Sequence, residues 1–153
     1  MGKLTLKIPP VFVWVLIALL GAAINQRFVN FSVNFPNNMF VSCVLFLVAV
    51  IIGLLGVFEF KKHKTSVHPV DLSRAKNIVT SGVFGYSRNP MYLALAVTLI
   101  STSIIQSSVV FVITVPMFVV YMNEFQIKAE EAFLTEKFGE EFKQYMKSVR
   151  RWI

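Results

Sequence analysis

Three stretches of this chain, residues 8 to 26, 28 to 58 and 89 to 123, contain no Asp, Glu, Lys or Arg. Uncharged apolar runs of about 18 residues or more are long enough to cross a bilayer as helices, so they leave few soluble folds open. The remaining composition agrees, with 56% hydrophobic residues, 15 phenylalanines and a mean hydropathy of +0.66. The first run, "IPPVFVWVLIALLGAAINQ", follows Lys3 and Lys7 and has the outline of a signal peptide. Further apolar segments follow it, so it is expected to be a retained span. The second span is placed at about Met39 to Phe58, after the turn-rich "NFPNN".

The third run is too long for one straight crossing. As a single helix its 35 residues would reach roughly 52 Å, well beyond the hydrocarbon core. A break is expected at its most polar point, "STSIIQSS" at 101 to 108, with Pro116 kinking or re-aiming the helix that follows. The predicted fold is therefore all-α and integral to a membrane, with about four transmembrane helices in two hairpins and a cytoplasmic amphipathic helix at the C-terminus. Along the single domain this gives a first hairpin at 1–60, a connector at 61–88, a second hairpin at 89–123 and the C-terminal helix at 124–153.

Four spans put both termini on one side. Lys3, Lys7, Lys61, Lys62, Lys64, Arg74, Lys76, Arg88 and the basic tail share that side, leaving Arg27 opposite. The positive-inside rule makes it cytoplasmic, in a multi-pass protein of a cytoplasmic membrane. The net charge of +7 then reflects topology and contact with anionic lipid headgroups. Basic residues that flank spans do not form a nucleic-acid-binding domain. Cys43 has no partner for an intrachain disulfide and reads as a packing residue.

Read at 100° per residue, the C-terminal segment places Ile127, Leu134, Phe138, Phe142, Tyr145 and Val149 on one face, with Glu131 among them. A carboxylate within an apolar stripe must meet a cation, a hydrogen-bond donor or a ligand. Glu130 lies at the edge of the stripe and Glu124 close to it. Solvation, or local pairing with Lys128, is the alternative for Glu130 and Glu131.

"GYSRNPMY", residues 85 to 92, marks the start of the third run. Pro90 suits the first position of a helix and Asn89 its N-cap. The N–H groups of Met91 and Tyr92, the helix dipole and the Arg88 guanidinium would together suit a carboxylate or phosphate, with Tyr86 and Tyr92 as aromatic walls. Arg and Tyr at such a boundary also serve as topological anchors. His68 titrates near neutral pH and is a candidate ligand-binding or proton-accepting group. With two histidines and one cysteine at unsuitable spacing, no metal centre is expected. The chain ends in "SVRRWI", whose Arg150, Arg151 and Trp152 read as an interfacial anchor or as a clamp on an anionic group.

Together "TSGVFGYSRNPMYLAL", "NEFQIKAEEAFLTEKFGEEFKQY" and "VRRWI" resemble the integral-membrane methyltransferases of the isoprenylcysteine carboxyl methyltransferase and phospholipid methyltransferase group, especially the short prokaryotic members. The resemblance spans residues 64 to 153. It implies S-adenosylmethionine as methyl donor, bound without metal by Arg88, Asn89, Tyr92, Glu130 and Glu131, with the terminal Arg150, Arg151 and Trp152 as a third element. Some relatives have histidine where Asn89 stands, glycine at Ala94 and proline at Ala129.

On this ligand, His68, Tyr86, Arg88, Asn89, Met91, Tyr92, Glu130 and Glu131 are expected on the cofactor. Arg150, Arg151 and Trp152 are expected on an acceptor, with Glu131 and Arg151 closest to the chemistry. The expected acceptor is hydrophobic or lipid-like, such as an isoprenylcysteine carboxylate or a phospholipid amine. The rival expectation is a small non-enzymatic transporter or scaffold. Such a protein would more naturally carry an ionisable residue in mid-membrane, and the three uncharged stretches have none.

Overall fold

The computed structural model describes residues 8–27, 38–65 and 76–153. Within them the chain forms α1 (Pro10–Arg27), α2 (Asn38–Lys62), a 3₁₀ turn (Gly82–Gly85), α3 (Pro90–Ile105), α4 (Val109–Tyr121), a π turn (Met122–Ile127), α5 (Lys128–Phe138) and α6 (Glu140–Ser148). Both α1 and α2 are long and apolar enough to cross a membrane. At 16 and 13 residues, α3 and α4 are shorter. The expected break in the third apolar run falls at Gln106–Ser108, where Ser107 takes a positive φ of 48° and reverses the chain. Helix α4 continues through Pro116 and passes without interruption into the π turn and α5.

From α1 to α4 the helices alternate in direction, but sequence neighbours are not always packing partners. Helix α2 lies chiefly along α3, and α1 lies chiefly against α4 rather than α2. The expected pairing of α1 with α2 as a hairpin is thus replaced by the pairs α2/α3 and α1/α4, with α3 and α4 also in contact. The reason lies on one face of α2, where Ser42, Ala49 and Gly56 are buried and the small residues let α3 approach. A Cβ added to Gly53 would lie 3.6 Å from Ala94 Cβ, and one on Gly56 would lie 3.0 Å from Met91 Cγ. The first is an ordinary contact distance, so the tight approach is at Gly56.

Hydrogen bonds fix the register. Ser42 and Ser101 exchange bonds, each hydroxyl donating to the other's carbonyl at 2.9 Å. Trp14 Nε1 donates to the Leu95 carbonyl at 3.1 Å. Between them lies a core of Val13, Ile17, Tyr92, Ala96, Leu99, Phe118, Met122 and Ile127. The outside is also apolar: Phe12, Leu16 and Leu19 on α1 and Phe40, Leu47, Leu54 and Phe58 on α2 are exposed. An outer surface of this kind is stable in lipid and would associate in water.

The polar C-terminal segment is not one helix. Gly139 adopts φ 59°, ψ −129°, a conformation that side chains avoid, and the helix stops and restarts there. Ile127 on one side and Phe142 and Tyr145 on the other are all buried. They reach the protein interior from two differently directed helices, and the single stripe predicted for 124–153 is corrected accordingly.

Candidate functional site

Helix α3 begins with Pro90 at its first turn, as its sequence suggests. Arg88 and Asn89, immediately before it, are drawn to the chain's own C-terminal strap. The Arg88 N–H donates to the Arg150 carbonyl at 3.0 Å. Its Nη1 donates to the carbonyls of Met146, at 2.8 Å, and Val149. Asn89 does not cap the helix with its side chain. Instead Asn89 Nδ2 donates to the Arg151 carbonyl at 2.9 Å, and Ser87 Oγ donates to the same oxygen at 3.4 Å. The strap's carbonyls are unsatisfied by any helix, which makes them strong competitors for these donors.

The other edge of the Arg88 guanidinium meets α5. Arg88 Nη2 lies 2.6 Å from Glu131 Oε1, and Arg151 grips the same carboxylate with Nε at 2.9 Å and Nη2 at 2.5 Å. The Arg88 and Glu131 side chains are only 12% and 14% exposed. Burial would raise the Glu131 pKa, but hydrogen bonds and charge from Arg151 and Arg88 outweigh it and hold the carboxyl below its ordinary value. The requirement that Glu131 meet a cation is met twice. Arg88 Nε is a buried donor with no partner among the described residues.

Glu130 occupies a different environment one residue earlier. The Tyr92 hydroxyl donates to its Oε1 at 2.5 Å and Gln126 Nε2 donates to the same atom at 2.6 Å. Burial pushes this carboxyl up to about 7, against the two hydrogen bonds and with help from the Glu131 charge. The two adjacent acids are thereby driven apart: Glu131 is ionised and committed to two cations, while Glu130 titrates near neutrality among neutral donors. The Tyr92 ring belongs to the apolar core, so Glu130 stands where that core meets the charged cluster.

The π turn gives these residues their phase. The Lys128 N–H reaches back to the Asn123 carbonyl, the wide i to i−5 bond, and such turns are frequent at functional sites. It turns Gln126, 2% exposed, inward against Tyr92 and Glu130. It also presents Asn123 Oδ1 to Trp152 Nε1 at 3.1 Å, which pins the end of the strap.

Arg88, Asn89, Glu131 and Arg151 are therefore joined in one network with the backbone of Arg150. Tyr92 and Glu130 form a second bonded group with Gln126 beside it, and Trp152 is held separately by Asn123. Met91 instead packs on Gly56 of α2. Tyr86 is 82% exposed. Glu124 pairs with Lys128 at 2.6 Å on the surface and does not join Glu130 and Glu131, neither of which pairs with Lys128. His68 lies outside the described residues. Gln126 and Asn123 are additions. The sequence cue for Gln126 is its i−4 relation to Glu130; uncharged amides in an apolar run otherwise look like boundary residues.

No group of three or more metal-ligating side chains occurs among the described residues. A family model described as phospholipid methyltransferase matches residues 37–141, more than half of the chain, from α2 to the start of α6. A protein of Haemophilus influenzae described as uncharacterized is 36% identical over 63 residues, which is 41% of this chain and the whole of that relative.

Proposed function

The chain belongs to the phospholipid methyltransferase family, a family of membrane-associated methyltransferases, and from that premise we propose that it moves the methyl group of S-adenosylmethionine to a hydrophobic or lipid-like acceptor. The observation that carries this reading is the pair of neighbouring acids in opposite electrostatic states, facing two arginines and a tyrosine at the start of α3. A donor with an α-carboxylate, an ammonium and ribose hydroxyls needs that set of partners. The groups now satisfy one another, and the spare Arg88 Nε shows that their bonding capacity is not used up. The fit is chemical complementarity.

In this reading Arg88 holds the donor's carboxylate, and Glu130 takes its ammonium or ribose hydroxyls. Arg151, paired with Glu131, is assigned to the donor side rather than to the acceptor. Asn89 and Trp152 keep the strap over the site through Arg151 and Asn123. The bound donor supplies an electrophilic methyl on a sulfonium whose charge disappears on transfer. The protein's part is to hold the reacting groups in line and exclude water. Tyr92, Leu99, Phe118, Met122 and Ile127 form the dry floor. For an amine acceptor, Glu130 is the group suited to take up the proton, since its carboxyl titrates near neutral pH. For a carboxylate acceptor, the exposed Arg150 is the free cation of the strap.

We further assign α3 and α4 to the membrane beside α1 and α2, with both termini on the cytoplasmic face, as the shared basic end implies. An open apolar groove along Pro116, Met117, Val120, Tyr121 and Phe125 offers a lipid-like acceptor a lateral approach.

Calorimetric titration of the detergent-purified protein with S-adenosylmethionine tests the reading. Saturable binding is expected, weakened by Arg88→Ala and Glu130→Gln, and tighter at pH 8 than at pH 6 because Glu130 must ionise to hold an ammonium. No saturable binding by a folded wild type would overturn it. Incubation with labelled donor and membrane lipids, followed by headgroup analysis, separates a phospholipid amine from the other acceptors.

A further inference from the structure

The segment joining α2 to α3 is tied together at its two ends. The Thr65 hydroxyl accepts the Lys76 N–H at 3.0 Å, Asn77 Nδ2 donates to the His63 carbonyl at 3.2 Å, and Ser81 Oγ donates to Glu59 Oε2 at 2.5 Å. The partners run in opposite sequence order, so the two ends form an antiparallel stem. Its innermost member, Glu59, is 7% exposed at the end of an apolar helix, where a carboxylate is costly unless bonded. Lys62 Nζ at 3.5 Å and His63 Nδ1 at 3.6 Å complete its surroundings.

Gly82 lies directly against that carboxylate. It has φ +58°, and a Cβ there would stand 2.7 Å from Glu59 Oε1 and 2.8 Å from Cδ. Two independent constraints, backbone angle and space, thus exclude a side chain. The carboxylate is held by Ser81 and buried, so it cannot swing aside freely. From Gly82 the chain makes its 3₁₀ turn. Phe84 is buried edge-on against Phe60, with centroids 5.0 Å apart, and its carbonyl accepts the Tyr145 hydroxyl at 2.7 Å. Ser87 and Arg88 follow at once.

We propose that the Glu59–Ser81–Gly82 contact is a positioning latch for the methyl-donor site. It fixes the direction in which the chain leaves the end of α2 and so delivers Arg88 to Glu131 and Tyr92 to Glu130. Glu59, Ser81 and Gly82 act through Arg88 and Tyr92 rather than on the ligand. The inference rests on the donor reading above for its functional consequence, and on the stem geometry alone for its structural one.

The test uses the full-length protein in detergent, S-adenosylhomocysteine as calorimetric probe, and hydrogen–deuterium exchange resolved by peptide. Gly82→Ala is expected to weaken the probe by roughly tenfold or more. Glu59→Ala and Ser81→Ala each weaken it, and the double variant is no worse than the weaker-binding single, since both remove one interaction. Glu59→Gln, whose amide oxygen still accepts from Ser81, retains most of the affinity. In Gly82→Ala, exchange should accelerate over residues 84–92 while 94–104, inside α3, stays at the wild-type rate. A merely structural lesion would speed both. Wild-type affinity in Gly82→Ala and Glu59→Ala, or acceleration spread evenly into 94–104, overturns the latch. If the wild type itself does not bind the probe, the donor reading fails, and the exchange pattern alone decides the latch.

Discussion

Where α3 gives way to α4, the helices are joined by neutral groups: Ser42 with Ser101, Ser108 Oγ with Asn25 Oδ1 at 2.5 Å, and Asn38 Nδ2 with Ser107 Oγ at 3.2 Å. At the opposite end, where α2 finishes and α3 begins, the joints involve charged groups: Glu59 held by the Ser81 hydroxyl, and Glu131 paired with Arg88 and Arg151. Both ends pair their polar groups, with Arg88 Nε left over at the charged end, yet they do so at different electrostatic stakes. Neutral clasps between helices set register at modest gain, because the separated hydroxyls find other partners. Buried ions are retained at the cost of desolvation, and removing one member strands the rest. Register alone does not require the ionic version, so its confinement to one end among the described residues fits the donor site proposed there.

The contrast is broken most readily at Arg88. Arg88→Ala leaves the Glu131 carboxylate and two strap carbonyls short of a donor, and a loss of about 3 kcal/mol is expected, read as a large fall in thermal midpoint. Arg88→Lys should recover little, since one ammonium cannot serve Glu131, Met146 and Val149 together. If Arg88→Ala proves as mild as a serine substitution at the other end, the distinction fails.

Next in size is a pH effect confined to the ionic end. Glu130 is raised from the ordinary 4.5 to about 7. Between those values the folded chain holds a proton that the unfolded chain has released. Stability therefore falls as pH rises from 4.5 to 7, by at most about 3 kcal/mol, and levels off above. Glu130→Gln should flatten that slope. Glu131 has the opposite sign: its lowered pKa contributes stability above the ordinary carboxylate range that is lost on acidification. Midpoints measured across pH for Glu130→Gln and Glu131→Gln check the two signs.

At the neutral end, Ser101→Ala should cost only about 1 kcal/mol, with no pH dependence, and Ser42→Ala added to it should cost little more. The smallest effect is expected at Tyr86. Its side chain is 82% exposed, so Tyr86→Ala should stay within about 0.5 kcal/mol and leave probe binding unchanged.

The helical class, the break after α3 and the need of Glu131 for a partner were legible because each follows from a local cost: uncharged length, a polar interruption, a carboxylate on an apolar face. What was not legible depends on contacts distant in sequence. Asn89 has the right chemistry for an N-cap, but the strap carbonyl of Arg151 won its amide. The apolar stripe of the C-terminal segment was extrapolated across Gly139, although a glycine after Lys137 and before Glu140 and Glu141 marks a helix stop followed by a new acidic first turn. The partnership of Glu59 with Gly82 could not be read at all, since neither residue alone departs from its surroundings.

The π turn between α4 and α5 gives part of the site a dependence on length that is separate from chemistry. Such a turn accommodates one residue more than an α-helix would over the same path. If the turn relaxed to ordinary winding with all of its residues retained, α5 would swing about its axis by roughly 100°. Glu130 would then face away from Tyr92 although no residue of the site had changed. Loss of one residue from 122–127 would instead be absorbed by the return to α winding, so the phase between α4 and the acidic pair, set by winding and residue count together, is itself part of the site.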